Sequence, residues 1–120
     1  MILIVEDDPQ VARLISLVLQ RNGYQGEIVS DGGVALEKIR AEHPQLVFAD
    51  LHVKGMAGEA LCTLLKQEPD TSRIPFVILS GDRDIAEKAR SCGADEHLGK
   101  PFEFDELIRL VKRYVNDENS

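Results

Sequence analysis

Leu46-Val47-Phe48-Ala49-Asp50 is the stretch on which the reading of this chain turns. Four residues that favour burial are followed, where the run stops, by a carboxylate that does not. Pro44 stands before the run and Gly55 and Gly58 after it, and a continuous apolar run bounded in this way reads as a strand buried on both faces. Asp50 then stands at the carboxyl end of that strand. In an open parallel sheet this is the edge where ligands bind, because the loops leaving the strand tips form a crevice there.

Outward from this strand the chain alternates two periods. Ile2 to Val5 is a short apolar run suited to a strand buried on both faces, and Asp8-Pro9 supplies an N-cap and a helix-compatible first residue. Val11, Leu14, Ile15, Val18 and Leu19 fall at helical spacing up to Asn22-Gly23, a C-cap signal. Glu27 to Ser30 is a brief second strand. Asp31-Gly32 opens a helix carrying Ala35, Leu36 and Ile39, which Pro44 stops. Beyond Gly58, Ala60, Leu61, Leu64 and Leu65 share one helical face ended by Pro69. Pro75-Phe76-Val77-Ile78-Leu79-Ser80 repeats the apolar run with a polar tip. Asp82 to Ser91 reads as a helix closed by Cys92-Gly93, Glu96 to Leu98 as a fifth strand, and Leu107, Ile108, Val111 and Val115 as the stripe of a last amphipathic helix. Five strands alternating with five helices specify an α/β fold, a doubly wound parallel sheet with helices on two faces. Right-handed crossovers leave few topologies, and the flavodoxin-like order 2-1-3-4-5 is the common one at this length.

A chain of 120 residues makes one domain that buries roughly two thirds of its unfolded surface without staples. The domain is taken as residues 1–116, with residues 117–120 a polar tail or the start of a linker. The opening apolar residues give way to Glu6-Asp7-Asp8, which is too short and wrongly flanked for a signal peptide or a membrane span, so a soluble, cytoplasmic protein is expected. Cys62 and Cys92 make no metal spacing and read as buried thiols in a reducing compartment. Acids outnumber bases 21 to 14, a formal charge of −7. That charge repels a phosphate backbone and argues against direct nucleic-acid binding.

The chemistry follows from the polar residues at the strand tips. Strand one ends at Glu6 and Asp7, strand three at Asp50, strand four at Ser80 and strand five at Lys100. With strands one and three adjacent, three carboxylates meet in one crevice, an arrangement that calls for a cation or raised pKa values. Oxygen-only ligands favour a hard ion. Mg²⁺, with Mn²⁺ as a substitute, suits a site of one or two carboxylates, retained waters and a backbone carbonyl, which His52 would supply. Lys100 and Ser80 offer a transferring phosphoryl group charge neutralisation and a hydrogen bond. Asp50 is then a nucleophile that takes up the phosphoryl as an acyl phosphate.

At these residues the chain resembles the receiver domain of two-component response regulators. The matching segments are Ile2-Leu3-Ile4-Val5-Glu6-Asp7-Asp8, the Asp50 strand with Gly58 eight residues on, Val77-Ile78-Leu79-Ser80-Gly81, and Lys100-Pro101-Phe102. The resemblance implies Glu6 and Asp7 as the acidic pair, Asp50 as phospho-acceptor and Lys100 as the phosphoryl-contacting lysine. It implies Ser80 as switch hydroxyl moving together with His97, and the backbone of His52 and Gly81 as phosphoryl contacts. The implied partners are a sensor histidine kinase or histidine phosphotransfer protein as donor, and a downstream effector domain or protein. A homodimer through the fourth helix, fifth strand and fifth helix is also implied. Lys54 stands where the family often has proline, and His97 where it often has Tyr, Phe or His; a histidine there carries a charge near neutral pH that biases the switch.

Two other readings compete. A haloacid-dehalogenase-type phosphatase wants a second Asp two residues after the nucleophile, where this chain has His52, and a cap region that its length does not hold. A degenerate receiver serving as a phosphorylation-independent docking module would have lost an acidic or lysine position, and none is lost.

Overall fold

Strands buried on both faces must find helices for both, and the chain supplies them in strict alternation. The computed structural model describes residues 1–115; the boundary at 116 and the tail 117–120 lie outside the described residues. In chain order the elements are β1 (Ile2–Val5), α1 (Pro9–Arg21), β2 (Gly26–Val29), α2 (Gly32–Glu42) and β3 (Leu46–Asp50), then α3 (Gly58–Gln67), β4 (Phe76–Ser80), α4 (Ile85–Cys92), β5 (Glu96–Gly99) and α5 (Phe104–Tyr114). All strand pairs are parallel, in the order β2-β1-β3-β4-β5. This is the flavodoxin-like order expected above.

Alternation along the strands divides the core into two layers. Leu3, Val5, Val47, Ala49 and Ile78 face α2, α3 and α4, where they meet Leu36, Ile39, Leu61, Leu65 and Ala89. Ile2, Ile4, Leu46, Phe48, Val77 and Leu79 face α1 and α5, where they meet Ile15, Leu19, Leu107 and Val111. Both layers are continuous across the central strands, so β1, β3 and β4 are held on each side and their tips are fixed relative to one another.

Local signals explain most helix ends. Asp8 Oδ1 accepts from the Gln10 amide at 3.0 Å, and Asp31 Oδ1 accepts from those of Gly33 and Val34 at 2.7 and 3.0 Å, so both aspartates cap as expected. Gly23, at φ +86°, closes α1 in the left-handed region that favours glycine.

Four expectations need correction. The second strand starts one residue earlier, at Gly26, which pairs with Ile2. A Cβ on Gly26 would stand 3.0 Å from the Leu19 side chain and 3.1 Å from that of Ile4, so the glycine is chosen by packing rather than by a turn. The fourth helix begins at Ile85 instead of Asp82, because Asp82 is held in the β4–α4 loop by the Ser80 hydroxyl. The second helix is closed by His43 at φ +50°, whose amide bonds the Ile39 carbonyl, before Pro44 is reached. Leu14 and Ala60, assigned to buried stripes, are exposed. Ala12 and Cys62 take the inward positions that periodicity left open between them.

Candidate functional site

Parallel pairing brings five strand tips to one edge. Val5 pairs with Ala49, so the residue after each, Glu6 and Asp50, stand side by side where β1 and β3 end. Asp7 follows on the loop. Carboxylate oxygens of Glu6, Asp7 and Asp50 all lie within 4.8 Å of one another. Across from them, Lys100 leaves the end of β5, its amide held by the Ser80 carbonyl at 2.8 Å. Its ammonium bridges the two buried acids, 2.7 Å from Glu6 Oε1 and 2.8 Å from Asp50 Oδ2.

Backbone amides hold one further oxygen of each acid. Asp50 Oδ1 accepts from the His52 amide at 2.9 Å, Glu6 Oε2 from Asp8 at 3.2 Å, and Asp7 Oδ2 from Lys54 at 3.2 Å. Gly58 lets this happen. A Cβ there would lie 2.6 Å from the Asp50 carbonyl oxygen, so only glycine allows α3 to start against the end of β3.

These surroundings split the two buried carboxyls. Burial pushes Glu6 up, helped by the neighbouring Asp50, and outweighs the Lys100 ammonium. Burial pushes Asp50 up too, but there Lys100, the His52 amide and a hydrogen bond from Glu6 together prevail and hold it below the usual carboxylate range. For Lys100, burial favours the neutral amine, and the two carboxylates more than reverse it. Asp50 is therefore the more acidic member of the pair, and Lys100 stays charged beside it.

Ser80 is buried at the tip of β4, with Oγ accepting from the Asp82 amide at 2.9 Å. Gly81 is the exposed next residue, close to the Lys100 carbonyl. His97 lies exposed on β5, in register with Ile78. The structure thus brings Glu6, Asp7, Asp50 and Lys100 into one crevice, sets Ser80, Gly81 and His52 around its rim, and leaves His97 on the adjoining strand.

Sequence reasoning missed Asp82. The His52 ring is exposed and has Nε2 2.8 Å from Asp82 Oδ2, and Lys88 Nζ reaches the same oxygen at 3.3 Å. The bond to His52 outweighs what burial would do and lowers the Asp82 carboxyl, with Lys88 adding to it. The signal was available: Asp82 follows a strand tip by two residues, as His52 does. What no linear pattern carried was that the two loops meet.

The donor set of the crevice is all oxygen, three carboxylates close enough for one ion, which fits a hard divalent cation. Fold and site together define a doubly wound α/β domain whose strand tips combine acids for a hard cation with a fixed ammonium.

The profile of the response regulator receiver domain matches residues 2–112. The chain belongs to this family, the receiver domains of two-component response regulators, which are signalling domains that bind Mg²⁺ through acidic residues. It is 34% identical over 113 residues to the DNA-binding response regulator MtrA of Mycolicibacterium smegmatis, covering 92% of this chain and 48% of that protein. It thus spans about half the length of that relative. It is 32% identical over 114 residues to sporulation initiation phosphotransferase F of Bacillus subtilis, covering 95% of this chain and 92% of that one. The receiver domain of sensor histidine kinase PA1611 from Pseudomonas aeruginosa, solved with a magnesium ion in its active-site cleft, superposes with a TM-score of 0.87. It is 25% identical and 94% of each chain is covered. The signal receiver domain of a histidine kinase from Syntrophus aciditrophicus gives a TM-score of 0.87 at 36% identity, over 94% of this chain and 87% of that one. Among the described residues no helix is long and apolar enough to cross a membrane.

Proposed function

We propose that Asp50 accepts a phosphoryl group from a phosphohistidine on a sensor histidine kinase or phosphotransfer protein. The observation that carries this reading is the crevice geometry: Glu6, Asp7 and Asp50 converge within 4.8 Å, and the Lys100 ammonium stands 2.8 Å from Asp50. In the transfer an Asp50 carboxylate oxygen attacks phosphorus, the bond from phosphorus to the imidazole nitrogen breaks, and the imidazole leaves with that electron pair. Lys100 neutralises charge on the phosphoryl oxygens, and the His52 and Gly81 backbone amides donate to them. Glu6, Asp7, Asp50 and the His52 carbonyl would hold Mg²⁺, or Mn²⁺ in its stead, which when bound neutralises charge on the phosphoryl oxygens. The exposed Leu14, Pro101 and Phe104, with the half-buried Val11 and Phe102, border Lys100 and supply the surface on which the donor protein rests.

The phosphoryl group then draws the Ser80 hydroxyl and Lys100 towards it. Ser80 gives up the Asp82 amide, and the β4–α4 loop, α4, β5 with His97, and α5 repack. This α4–β5–α5 face serves a downstream effector domain or protein, or a second copy of the chain. Residues 1–116 act as the receiver, in the cytoplasm. The chain acts on itself rather than turning over a separate substrate.

Asp50→Asn tests the reading. The variant folds with an unchanged far-ultraviolet spectrum and takes no label from a phosphoramidate donor with Mg²⁺, whereas the wild type is labelled at Asp50. Persistent labelling at another residue would refute the assignment. Calorimetric titration with Mg²⁺ separates this from a phosphorylation-independent docking module: heat of binding that disappears in Asp7→Asn supports the acceptor reading.

A further inference from the structure

The transfer chemistry leaves the two cysteines unused. Cys62 lies on α3 and Cys92 is the last residue of α4; both are free thiols in the same core layer. Cys62 Sγ is 3.4 Å from the Cys92 carbonyl oxygen, so it reaches the residue that carries the second thiol. Cys92 Sγ is 3.4 Å from the Ala89 carbonyl oxygen within its own helix. The two thiols are close enough that each shifts the proton affinity of the other. We propose that Cys62 and Cys92 are an intramolecular oxidation site, which closes to a disulfide and ties α3 to the C-terminal end of α4.

The two sulfurs have different roles. Cys62 is fully buried, while Cys92 is slightly exposed at a helix end, with Gly93 following in the left-handed region. The neighbouring Cys62 thiol favours the Cys92 thiolate and lowers that group to about 7, while Cys62 itself is pushed up. Cys92 is therefore the attacking thiol, since the thiolate is the nucleophile and reacts best with a pKa near ambient pH.

With a small disulfide such as oxidised glutathione as oxidant, the Cys92 thiolate attacks one oxidant sulfur and releases one glutathione thiol. Cys62 then loses its proton and attacks the Cys92 sulfur, releasing the second. Two protein S–H bonds are replaced by one S–S bond, and the oxidant is reduced to two thiols. In a reducing compartment the dithiol is the resting form. The bridge closes a loop between residues 30 apart, on two helices already packed together. It therefore restrains α4 more than it reshapes it. The modification does not depend on Asp50.

The test treats the reduced full chain with oxidised and reduced glutathione at rising ratios, alkylates it, and maps peptides without reduction. The expected product is a monomer lighter by two hydrogens, with the Cys62 and Cys92 peptides cross-linked. Thiols that both remain alkylatable after unfolding, stable glutathione adducts on the wild type, or intermolecular dimers would each overturn the proposal. In Cys62→Ser the mixed disulfide on Cys92 accumulates, and an unmodified Cys92 would overturn its role as the attacking thiol. Because a polar group at position 62 could unfold the chain, the wild-type peptide map decides on its own. Hydrogen exchange of the α4 amides slows in the oxidised form; unchanged exchange would overturn the restraint.

Discussion

Replacing Lys100 by methionine keeps most of the side-chain stem and removes one charge from between two carboxylates. The ammonium makes hydrogen bonds of 2.7 Å to Glu6 and 2.8 Å to Asp50, and Glu6 is only 1% exposed. A hydrogen bond to a charged group contributes about 1.5–3 kcal/mol, and breaking a buried ion pair costs about 3–5 kcal/mol. The Lys100 side chain is itself 25% exposed, so the lower ends apply and Lys100→Met is expected to lose about 3 kcal/mol near pH 7.5. With a urea slope of about 1.5 kcal/mol per molar, the unfolding midpoint falls by about 2 M. The chain has no tryptophan, so the transition is followed by far-ultraviolet circular dichroism, in EDTA. The pH dependence supplies the sharper check. Without Lys100 the folded-state pKa values of Glu6 and Asp50 rise above their unfolded values, so the variant regains stability as pH falls through the carboxylate range. In the wild type Glu6 is already raised, but Asp50 is lowered, and the stability it contributes is lost on acidification below the usual carboxylate range. The gap between the two proteins therefore narrows from pH 7.5 to pH 5. A variant as stable as wild type at pH 7.5, or a gap that widens on acidification, would show that the ammonium does not carry the acidic crevice.

Three further outcomes are expected. Gly58→Ala forces a Cβ to within 2.6 Å of the Asp50 carbonyl oxygen, so α3 must shift; thermal unfolding should show a loss of about 1–3 kcal/mol, and Asp50 labelling should slow. Asp31→Ala removes the cap that accepts from Gly33 and Val34 and should lower stability by about 1 kcal/mol in urea without changing labelling, since the cap stands outside the crevice. Millimolar Mg²⁺ should raise the wild-type Tm and raise that of Asp7→Asn much less, because an ion that binds only the folded state stabilises it by mass action; equal shifts would remove Asp7 from the ligand set.

Most of the architecture was legible in the chain before any coordinates. Apolar runs at 2–5, 46–49 and 76–79 are too short for helices and too continuous for half-exposed strands. Asp8 and Asp31 announce helix starts because a short carboxylate satisfies amides that no helix can pair. The misplaced boundaries share a cause: β2 begins at a glycine selected by its neighbours on β1 and α1, and α4 is delayed by a loop hydrogen bond. Neither signal is local.

Composition and order determined that this chain builds a parallel sheet and that acids, a hydroxyl and a lysine end its strands, since burial and alternation act on each segment separately. Tertiary structure alone decided which oxygen faces which cation. Glu6 and Lys100 are 94 positions apart, and only the adjacency of β1, β3, β4 and β5 brings them to 2.7 Å. The same holds for the lowered carboxyl of Asp50, for the pairing of His52 with Asp82, and for the meeting of Cys62 with Cys92. Each depends on distances between loops and helices that no periodicity encodes.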